Sequence, residues 1–556
     1  MAKQRSETSY LVQGSILAIA SIISRIIGLV YRIPLTAIIG DHGNDYYSTA
    51  FEIYSIVLLI SSYSLPMAVS KMVSARNAKR EKENAYRAFK GALIFAFFTG
   101  ALGAVIVFFL AGPLTSLFKT PMAIYALRVL APTLVIVAVL GVVRGYFQGL
   151  GTMIPSAISQ IIEQIVNAVV SVGAAYVLFA YGMRIQTTLA DGNEYGAAWG
   201  AAGGTLGTCI GAVFGLGFVL FVFFAFRPSI LRAITREKRR NKKRGHAHVE
   251  NYTDIVKILV FTIVPVLLST TIYNLISIVD QGVFKNLAAV QGYLESDVSV
   301  WWGIFSGKYR VLTNVPFSIA SALAVSAVPT LTAAFARGEK NQVRRKIGLS
   351  LRFEMVVAFP CAIGLFVLAS PIQQLLFRDD SQMAAALLML GSVSVVFYSI
   401  STFSNAVLQA IDRMRIPVQN AVIALVVQTI VIVVCMLGFH MGIYSVVVAN
   451  IVFSLLMCIL NGRAVNRYSG FVPNITKTYI LPGFAAVIMG IVTRLVYMGL
   501  LAVTHHNSIA CVISILVAII AYAVALLLTR ALTEEEILSF PKGDMIVKVA
   551  KKAHLL

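Results

Sequence analysis

The stretch ILAIASIISRIIGLVYRIPLTAII, residues 16–39, is the first long apolar segment of the chain, and it contains Arg25 and Arg32. It is long enough to cross a bilayer as a helix, because about 20 apolar residues suffice. An arginine at the centre of such a helix costs roughly 2.5–3.5 kcal/mol, so a pair there indicates a functional site. Their spacing of about two helical turns places both side chains on one face, about 10 Å apart. Such a stripe suits a bound anion; the alternative is that both arginines snorkel towards an interface.

The rest of the chain repeats this apolar pattern. Of its 556 residues 58% are hydrophobic and 13% charged, whereas soluble domains are roughly 25% charged. This composition predicts an all-α polytopic membrane protein with about fourteen transmembrane helices and no large soluble domain. The spans are predicted near 12–39, 48–74, 91–112, 122–148, 153–181, 197–226, 254–286, 303–335, 347–370, 383–411, 416–438, 441–461, 479–502 and 508–529.

Lysine and arginine concentrate in every second loop, which predicts the orientation of the chain. The basic set comprises the amino-terminal lead, the turns near 76–87 and 337–346, the loop 227–244 and the carboxy-terminal tail. The positive-inside rule places these segments, and so both termini, in the cytoplasm. Most of the net charge of +22 lies in these loops. The run REKRRNKKRGH, residues 236–246, lacks interleaved aromatic residues, so no nucleic-acid partner is expected.

Motifs for catalysis, metals or cofactors are not found in the sequence. The segment GIFSGK, residues 303–308, lacks the spacing of a phosphate-binding loop, and no HExxH motif occurs. The five cysteines fall inside predicted spans with no paired spacing, so neither a disulfide framework nor a metal site is expected. We therefore expect a protein that is not an enzyme and carries no cofactor.

An internal repeat predicts the domain organisation. FQGLGTMIP at 147–155 and LQAIDRMRIP at 408–417 each place a methionine five residues after a glutamine, at an offset of 261 residues (409 − 148). An offset of six spans preserves orientation, so two parallel-repeat six-helix lobes are expected, with the transport site between them near the midplane. The predicted segments are the N-lobe 1–226, a basic linker 227–253, the C-lobe 254–461, two C-terminal helices within 462–530, and a cytoplasmic tail 531–556.

Several other charges fall inside predicted spans. Arg310 of the eighth span is expected to join Arg25 and Arg32 in lining a cavity for phosphate or pyrophosphate, because the planar guanidinium matches phosphate oxygens. Asp280, deep in the seventh span, is a candidate site for a coupling Na⁺ or H⁺, or else neutralises Lys308 or Arg310.

The remaining charged residues inside predicted spans are expected to have structural roles. Arg144, Arg352 and Glu354 lie near predicted cytoplasmic span ends, where snorkelling or loop contacts are expected. Glu163, ten residues into the fifth span, is expected to pair with a nearby cation.

Three segments carry a family resemblance. RGYFQGLGTMIPSAISQIIEQ (144–164), SRIIGLVYRIPLTAIIGDHGNDYYSTAF (24–51) and GKYRVLTNVPFSIASALAVSAVP (307–329) resemble signatures of the polysaccharide-export branch of the multidrug/oligosaccharidyl-lipid/polysaccharide exporter superfamily. Within this branch the chain is similar to Gram-positive lipid II flippases of the MurJ type and to their stage V sporulation protein B relatives. Arg25, Arg32 and Asp45 stand on motif positions, and Arg310 matches a cavity arginine. Glu52 stands where Gram-negative members carry an arginine in the second span.

The resemblance implies a V-shaped, two-lobed flippase. Its cargo is expected to be undecaprenyl-pyrophosphate-linked peptidoglycan precursor, bound by Arg25, Arg32, Arg310 and Asp45, with the two terminal spans forming a groove for the lipid tail. A monomer surrounded by membrane lipids is expected. Two alternatives stay open: a flippase for another lipid-linked polysaccharide or sporulation precursor, and a cation-coupled exporter of small molecules. The arginine pair argues against the exporter, and the short outer loops argue against a polysaccharide polymerase.

Overall fold

All regular structure in the computed structural model is helical over the residues that it describes, which are 16–17, 19–190, 192–244, 249–529 and 531. The predicted amino-terminal lead, residues 245–248 of the basic linker and the tail from 532 onward lie outside this part of the chain. The prediction of an all-α fold is confirmed.

The chain divides into two compact units, Met1–Gly303 and Ile304–Leu556. The helices that begin in the first unit are α1 Ile19–Val30, α2 Arg32–Leu58, α3 Leu65–Ala78, α4 Lys82–Phe109, α5 Ala111–Leu117, α6 Ile124–Leu130, α7 Thr133–Gly149, α8 Ile154–Leu189, α9 Tyr195–Arg244, α10 Tyr252–Val290 and α11 Glu295–Ile304. A π-helical turn, Leu59–Tyr63, follows α2, and a short 3-10 turn, Pro121–Ala123, precedes α6.

The described part of the second unit, residues 304–529 and 531, contains nine further helices and two π-helical turns. Its helices are α12 Arg310–Ala336, α13 Lys340–Val367, α14 Ala369–Phe377, α15 Gln382–Ser392, α16 Ser394–Ala410, α17 Arg415–Leu437, α18 Tyr444–Ser469, α19 Leu481–Thr504 and α20 Asn507–Leu528. The π-helical turns are Phe305–Tyr309, before α12, and Thr476–Ile480, before α19.

Many of these helices are long and apolar enough to cross a membrane. Within the described residues eleven helical runs meet that standard, or twelve if the pair α15 and α16, bent by 42°, forms one span. The first two predicted spans fall on the consecutive helices α1 to α3, and the seventh falls on α10. The chain is therefore a polytopic membrane protein.

The seventh predicted span packs within the first unit, although the sequence repeat placed it at the start of the second lobe. Helix α10 contacts α2, α3 and α4, and the boundary between the units follows at Gly303. Compactness and sequence repetition are different criteria, so the division into repeated lobes stays a prediction.

Helix α2 is interrupted at Gly40, and this break positions the polar residues that follow it. Gly40 has φ +68°, a conformation that side-chain-bearing residues rarely adopt. The Asn44 side chain stabilises the break by donating to the carbonyl oxygens of Gly40 (2.7 Å) and Thr36 (3.3 Å). The half of α2 after the break presents a run of buried polar residues.

Small residues allow α8 and α9 to pack closely. A Cβ at Gly207 of α9 would lie 2.1 Å from Ser171 Oγ of α8, and one at Gly203 would lie 2.5 Å from the Ala174 carbonyl oxygen. Close backbone approach through small residues is the usual way in which membrane helices associate, because lipid supplies no hydrophobic driving force between them. Ser171 Oγ also donates to the Gly204 carbonyl oxygen at 2.8 Å.

In the second unit, polar side chains and a proline shape the helix packing. Asn461 of α18 donates to Asn405 of α16 (2.6 Å) and accepts from Asn420 of α17 (2.8 Å). Pro360 removes one backbone donor from α13, and the Tyr522 hydroxyl of α20 donates to the Val356 carbonyl oxygen, four residues earlier, at 2.8 Å. The two C-terminal helices thus pack against the body of this unit.

Candidate functional site

The two opening arginines lie on consecutive helical segments of the first unit. Backbone hydrogen bonds continue through Tyr31, which joins α1 to α2, so the predicted two-turn spacing spans nearly continuous helix. Arg25 is exposed on α1, whereas Arg32 is half-buried at the start of α2. The Arg32 guanidinium lies 4.2 Å from the centre of the Tyr47 ring, a cation–π contact that holds it over the second half of α2.

One donor group of Arg32 is unused within the described residues. Its Nη1 atom is buried and has no hydrogen-bond partner there. Tyr31 beside it accepts a hydrogen bond from Asn167 Nδ2 at 3.3 Å. A buried guanidinium N–H without an acceptor is costly, and an anion in contact with it would remove that cost.

Asp45 belongs to a buried ion pair rather than to an exposed surface. Its Oδ1 atom accepts from Lys285 Nζ of α10, and each side chain is 1% exposed. Thr120 Oγ1 lies 2.5 Å from the same Lys285 nitrogen, and Thr49 donates to Asp45 Oδ1 at 3.3 Å. Asp45 Oδ2 is buried with no hydrogen-bond partner in the described part of the chain. The pair joins the second half of α2 to α10 inside the first unit.

A second layer of polar groups extends this network along the same two helices. The Gln281 amide oxygen faces Trp302 Nε1 (3.2 Å) and Thr49 Oγ1 (2.5 Å), and its nitrogen donates to Glu52 Oε2 (3.3 Å). The one Thr49 hydroxyl proton goes either to this oxygen or to Asp45 Oδ1. Trp302, fully buried, stacks on Phe284 with ring centres 5.8 Å apart. These apolar rings seal one side of the network, so its charges interact at low dielectric.

The network brings two carboxyl groups close to one another. Asp45 accepts from Thr49, and Gln281 joins Thr49 to Glu52. Asp280, on the same helix as Lys285, is 3% exposed, and its role in ion coupling stays a prediction.

Arg310 and Lys308 lie in the second unit, at the π-helical turn before α12. The Arg310 guanidinium is half-buried, 6.0 Å from the centre of the Phe305 ring. Lys308 Nζ donates to Asp379 Oδ2 at 2.8 Å. Lys308 thus pairs with an acid of the α14–α15 loop that lies outside every predicted span, and the alternative that Asp280 neutralises Lys308 or Arg310 stays a prediction.

The loop carboxyl of Asp379 is held ionised by its donors. Partial burial raises its pKa, but the hydrogen bonds from Lys308 and from the Ser381 backbone outweigh that effect, so the pKa lies below its ordinary value. Ser381 N donates to Asp379 Oδ1 at 2.9 Å. This loop thereby anchors the π-helical turn that precedes α12.

The predicted pairing of Glu163 with a nearby cation is confirmed in the first unit. Glu163 accepts from Arg144 Nη2 at 2.7 Å, and Arg144 Nε donates to Ser159 Oγ at 2.8 Å. Arg144 therefore does not snorkel as its position had suggested; its side chain is only 13% exposed. The pair connects α7 to α8 within the segment that carries the strongest family resemblance.

Of the predicted site residues, the first unit contains Arg25, Arg32, Asp45 and Asp280, and the second unit contains Arg310. Sequence reasoning missed Lys285, the partner of Asp45. A signal was present, because Gln281 and Lys285 are four residues apart and so share one face of the seventh predicted span.

Comparisons with known proteins give a consistent result. The sequence profile of the family Lipid II flippase MurJ matches residues 70–507. The chain is 24% identical to the lipid II flippase MurJ of Bacillus subtilis (strain 168), over 76% of this chain and 77% of that protein. It is 23% identical to stage V sporulation protein B of the same organism, over 99% of this chain and 100% of that protein.

Solved structures show the same fold. A lipid II flippase MurJ in an inward closed conformation matches with a TM-score of 0.62 and 16% identity, over 92% of this chain and 97% of that chain. An inward-facing multidrug resistance MATE family transporter of the MOP superfamily matches with a TM-score of 0.62 and 16% identity, over 82% of this chain and 98% of that chain. At these identities the likeness concerns the fold alone.

Proposed function

Because this chain belongs to the lipid II flippase MurJ family, whose members are transporters and not enzymes, we propose that it moves lipid II across the bacterial cell membrane. The cargo is undecaprenyl-pyrophosphate-linked peptidoglycan precursor, and the movement runs from the cytoplasmic to the outer leaflet by alternating access. Both termini lie in the cytoplasm, in keeping with the basic loops.

The observation that carries this proposal is the unsatisfied donor of Arg32. Its guanidinium is oriented by Tyr47, and its buried Nη1 has no protein acceptor among the described residues. Guanidinium groups bind phosphate oxygens through paired N–H donors, so a pyrophosphate fits this group better than an organic cation does. Arg25 of the first unit and Arg310 of the second are each proposed as further residues that contact the cargo, and Asp45 as the residue that orders α2 beside Arg32.

The direction of transport agrees with simple electrostatics. An inside-negative membrane favours outward movement of an anion by about 2.3 kcal/mol per charge per 100 mV. A cargo with two negative charges thus gains about 4–5 kcal/mol per 100 mV on crossing outward. Asp280, which is buried in α10, is proposed to bind a coupling Na⁺ or H⁺.

Genetic replacement tests the proposal. The native lipid II flippase is depleted in a host cell, this gene is supplied, and lipid II exposed at the outer leaflet is measured. We expect the wild-type chain to restore exposure and Arg32→Ala to fail at equal membrane abundance. Arg337→Ala, which alters an arginine side chain that is 57% exposed, serves as the matched control. A correctly inserted wild-type chain that restores nothing contradicts the lipid II assignment.

A second candidate is a related lipid-linked precursor used in sporulation. The relative named stage V sporulation protein B aligns over 99% of this chain, a longer match than that to MurJ from the same organism. Rescue of a strain lacking that relative, without rescue of the lipid II flippase, favours this candidate.

A further inference from the structure

Glu354 is a buried carboxyl group in the second unit with no role in the site described above. Only 1% of its surface is exposed, and neither side-chain oxygen has a hydrogen-bond partner within the described residues. It lies fourteen residues after Lys340 (354 − 340) and thirteen before Val367 (367 − 354), at the middle of α13. The prediction that it snorkels at a span end is wrong, because the helix begins at Lys340 rather than near residue 347.

Among the described residues, no ion pair joins this carboxyl group to a lysine or arginine. Arg352, two residues earlier, projects about 200° around the helix and so lies on another face. The residues next to Glu354, Met355 and Val356, pack in clusters whose titratable members are Cys458 of α18, Tyr479 of the π-helical turn and Tyr522 of α20. None of these three can carry a positive charge, so an ionised carboxylate here would have no described counter-ion.

The same surroundings offer little to a metal cation. Hard cations require several oxygen ligands, and in helix interiors these come from freed carbonyl groups. The carbonyl freed by Pro360 is that of Val356, and it already accepts from Tyr522 at 2.8 Å. On the packed helix α16, the Ser404 hydroxyl donates to the Ile400 carbonyl oxygen of its own helix at 2.7 Å. A proton needs only the carboxyl group itself.

A small cavity lies beside α13, one helical turn before Glu354. Its volume is about 100 Å³ and its lining is mostly apolar, including Ile347 and Leu351 of α13, with Ser404 of α16 and Tyr479 as polar members. Leu351 and Glu354 are three residues apart, about 4.5 Å along the helix axis, but Glu354 does not line the cavity. The carboxyl group is therefore enclosed by protein, which disfavours its charged form.

We propose that Glu354 is a proton-binding site of the second unit. Its carboxyl group carries a proton in the conformation described here. The proton leaves by cleavage of the O–H bond, with a water molecule as acceptor and the carboxylate as the group left behind. Binding and release of this proton require no cargo, so the inference stands independently of the lipid II assignment.

Infrared spectroscopy of the purified full-length protein tests this proposal. Spectra of the wild type and of Glu354→Gln are compared at neutral pH in the carbonyl-stretch region of protonated carboxyl groups. Glu163→Gln is the matched control, because Glu163 is ion-paired with Arg144 and so contributes a carboxylate signal instead. Each spectrum is repeated in heavy water and with added Na⁺.

We expect a protonated-carboxyl band that is lost in Glu354→Gln, kept in Glu163→Gln, shifted in heavy water and unchanged by Na⁺. Identical wild-type and Glu354→Gln spectra would show that the group is ionised and overturn the proposal. A band that Na⁺ removes would indicate a cation site instead, and a band that heavy water does not shift would exclude proton exchange. If Glu354→Gln does not fold, Glu354→Met, an apolar side chain of similar size, gives the same comparison.

Discussion

The ion pair between Asp45 and Lys285 provides a quantitative test of the site. Both side chains are 1% exposed, so removal of either partner leaves a buried charge without compensation. For such pairs the loss is about 3–5 kcal/mol. We expect Lys285→Met and Asp45→Asn each to lower stability by this amount. The double variant should lose only about 1–2 kcal/mol, because neither charge then remains unpaired.

The assay is thermal unfolding of the purified protein, read as a double-mutant cycle. Each single variant should lower the melting temperature by about 3–8 °C, and the double variant should recover most of that loss. The exposed pair of Arg337 and Glu339, with side chains 57% and 35% exposed, is the control and should show a coupling of about 0–1 kcal/mol. Additive losses at Asp45 and Lys285 would refute the reasoning, since they would mean that the two charges do not interact.

Three other predictions concern separate parts of the chain. Gly207→Val should destabilise by about 1–3 kcal/mol or more through its clash with α8, whereas Gly217→Val, with nothing within 4 Å of its Cβ, should be tolerated in the same unfolding assay. The pKa of Asp379 is lowered in the folded protein. Its ionised carboxyl group therefore stabilises the fold above the unfolded-state pKa of about 3.9, and this stabilisation is lost as the pH falls through the folded-state pKa. The difference in stability between wild type and Asp379→Asn should therefore close in acid. Arg32→Lys keeps the charge but loses the planar donor pair, so translocation should fall by about 10–100-fold.

Much of the fold could be predicted because its main signals are local. The length of an apolar run and the charge of a loop can both be read within about 20 residues of sequence. The apolar runs predicted the all-α membrane fold correctly. The ion pair of Arg144 and Glu163 was also within reach, since nineteen residues and one tight turn separate the partners. Sequence alone did not predict the break at Gly40, because an isolated glycine inside an apolar run has several explanations.

The polar network of the first unit depends on contacts that local patterns do not encode. Asp45 and Lys285 are 240 residues apart, and Lys308 pairs with Asp379, a loop residue 71 positions away. The snorkelling predicted for Glu354 failed because the helix extends further than its apolar core. Tertiary packing determines which distant charged residues pair. A single sequence therefore identifies the charged residues but not their partners.

The central claim is that Arg32, a half-buried arginine with a buried Nη1 atom, binds the pyrophosphate of a lipid-linked precursor during its transfer between leaflets. The most direct measurement is the appearance of fluorescent lipid II on the far side of liposomes containing the purified protein. Our account predicts transfer by the wild-type chain and by Arg337→Ala, and a loss of transfer in Arg32→Ala at equal reconstitution. Transfer by Arg32→Ala at the wild-type rate would contradict the claim.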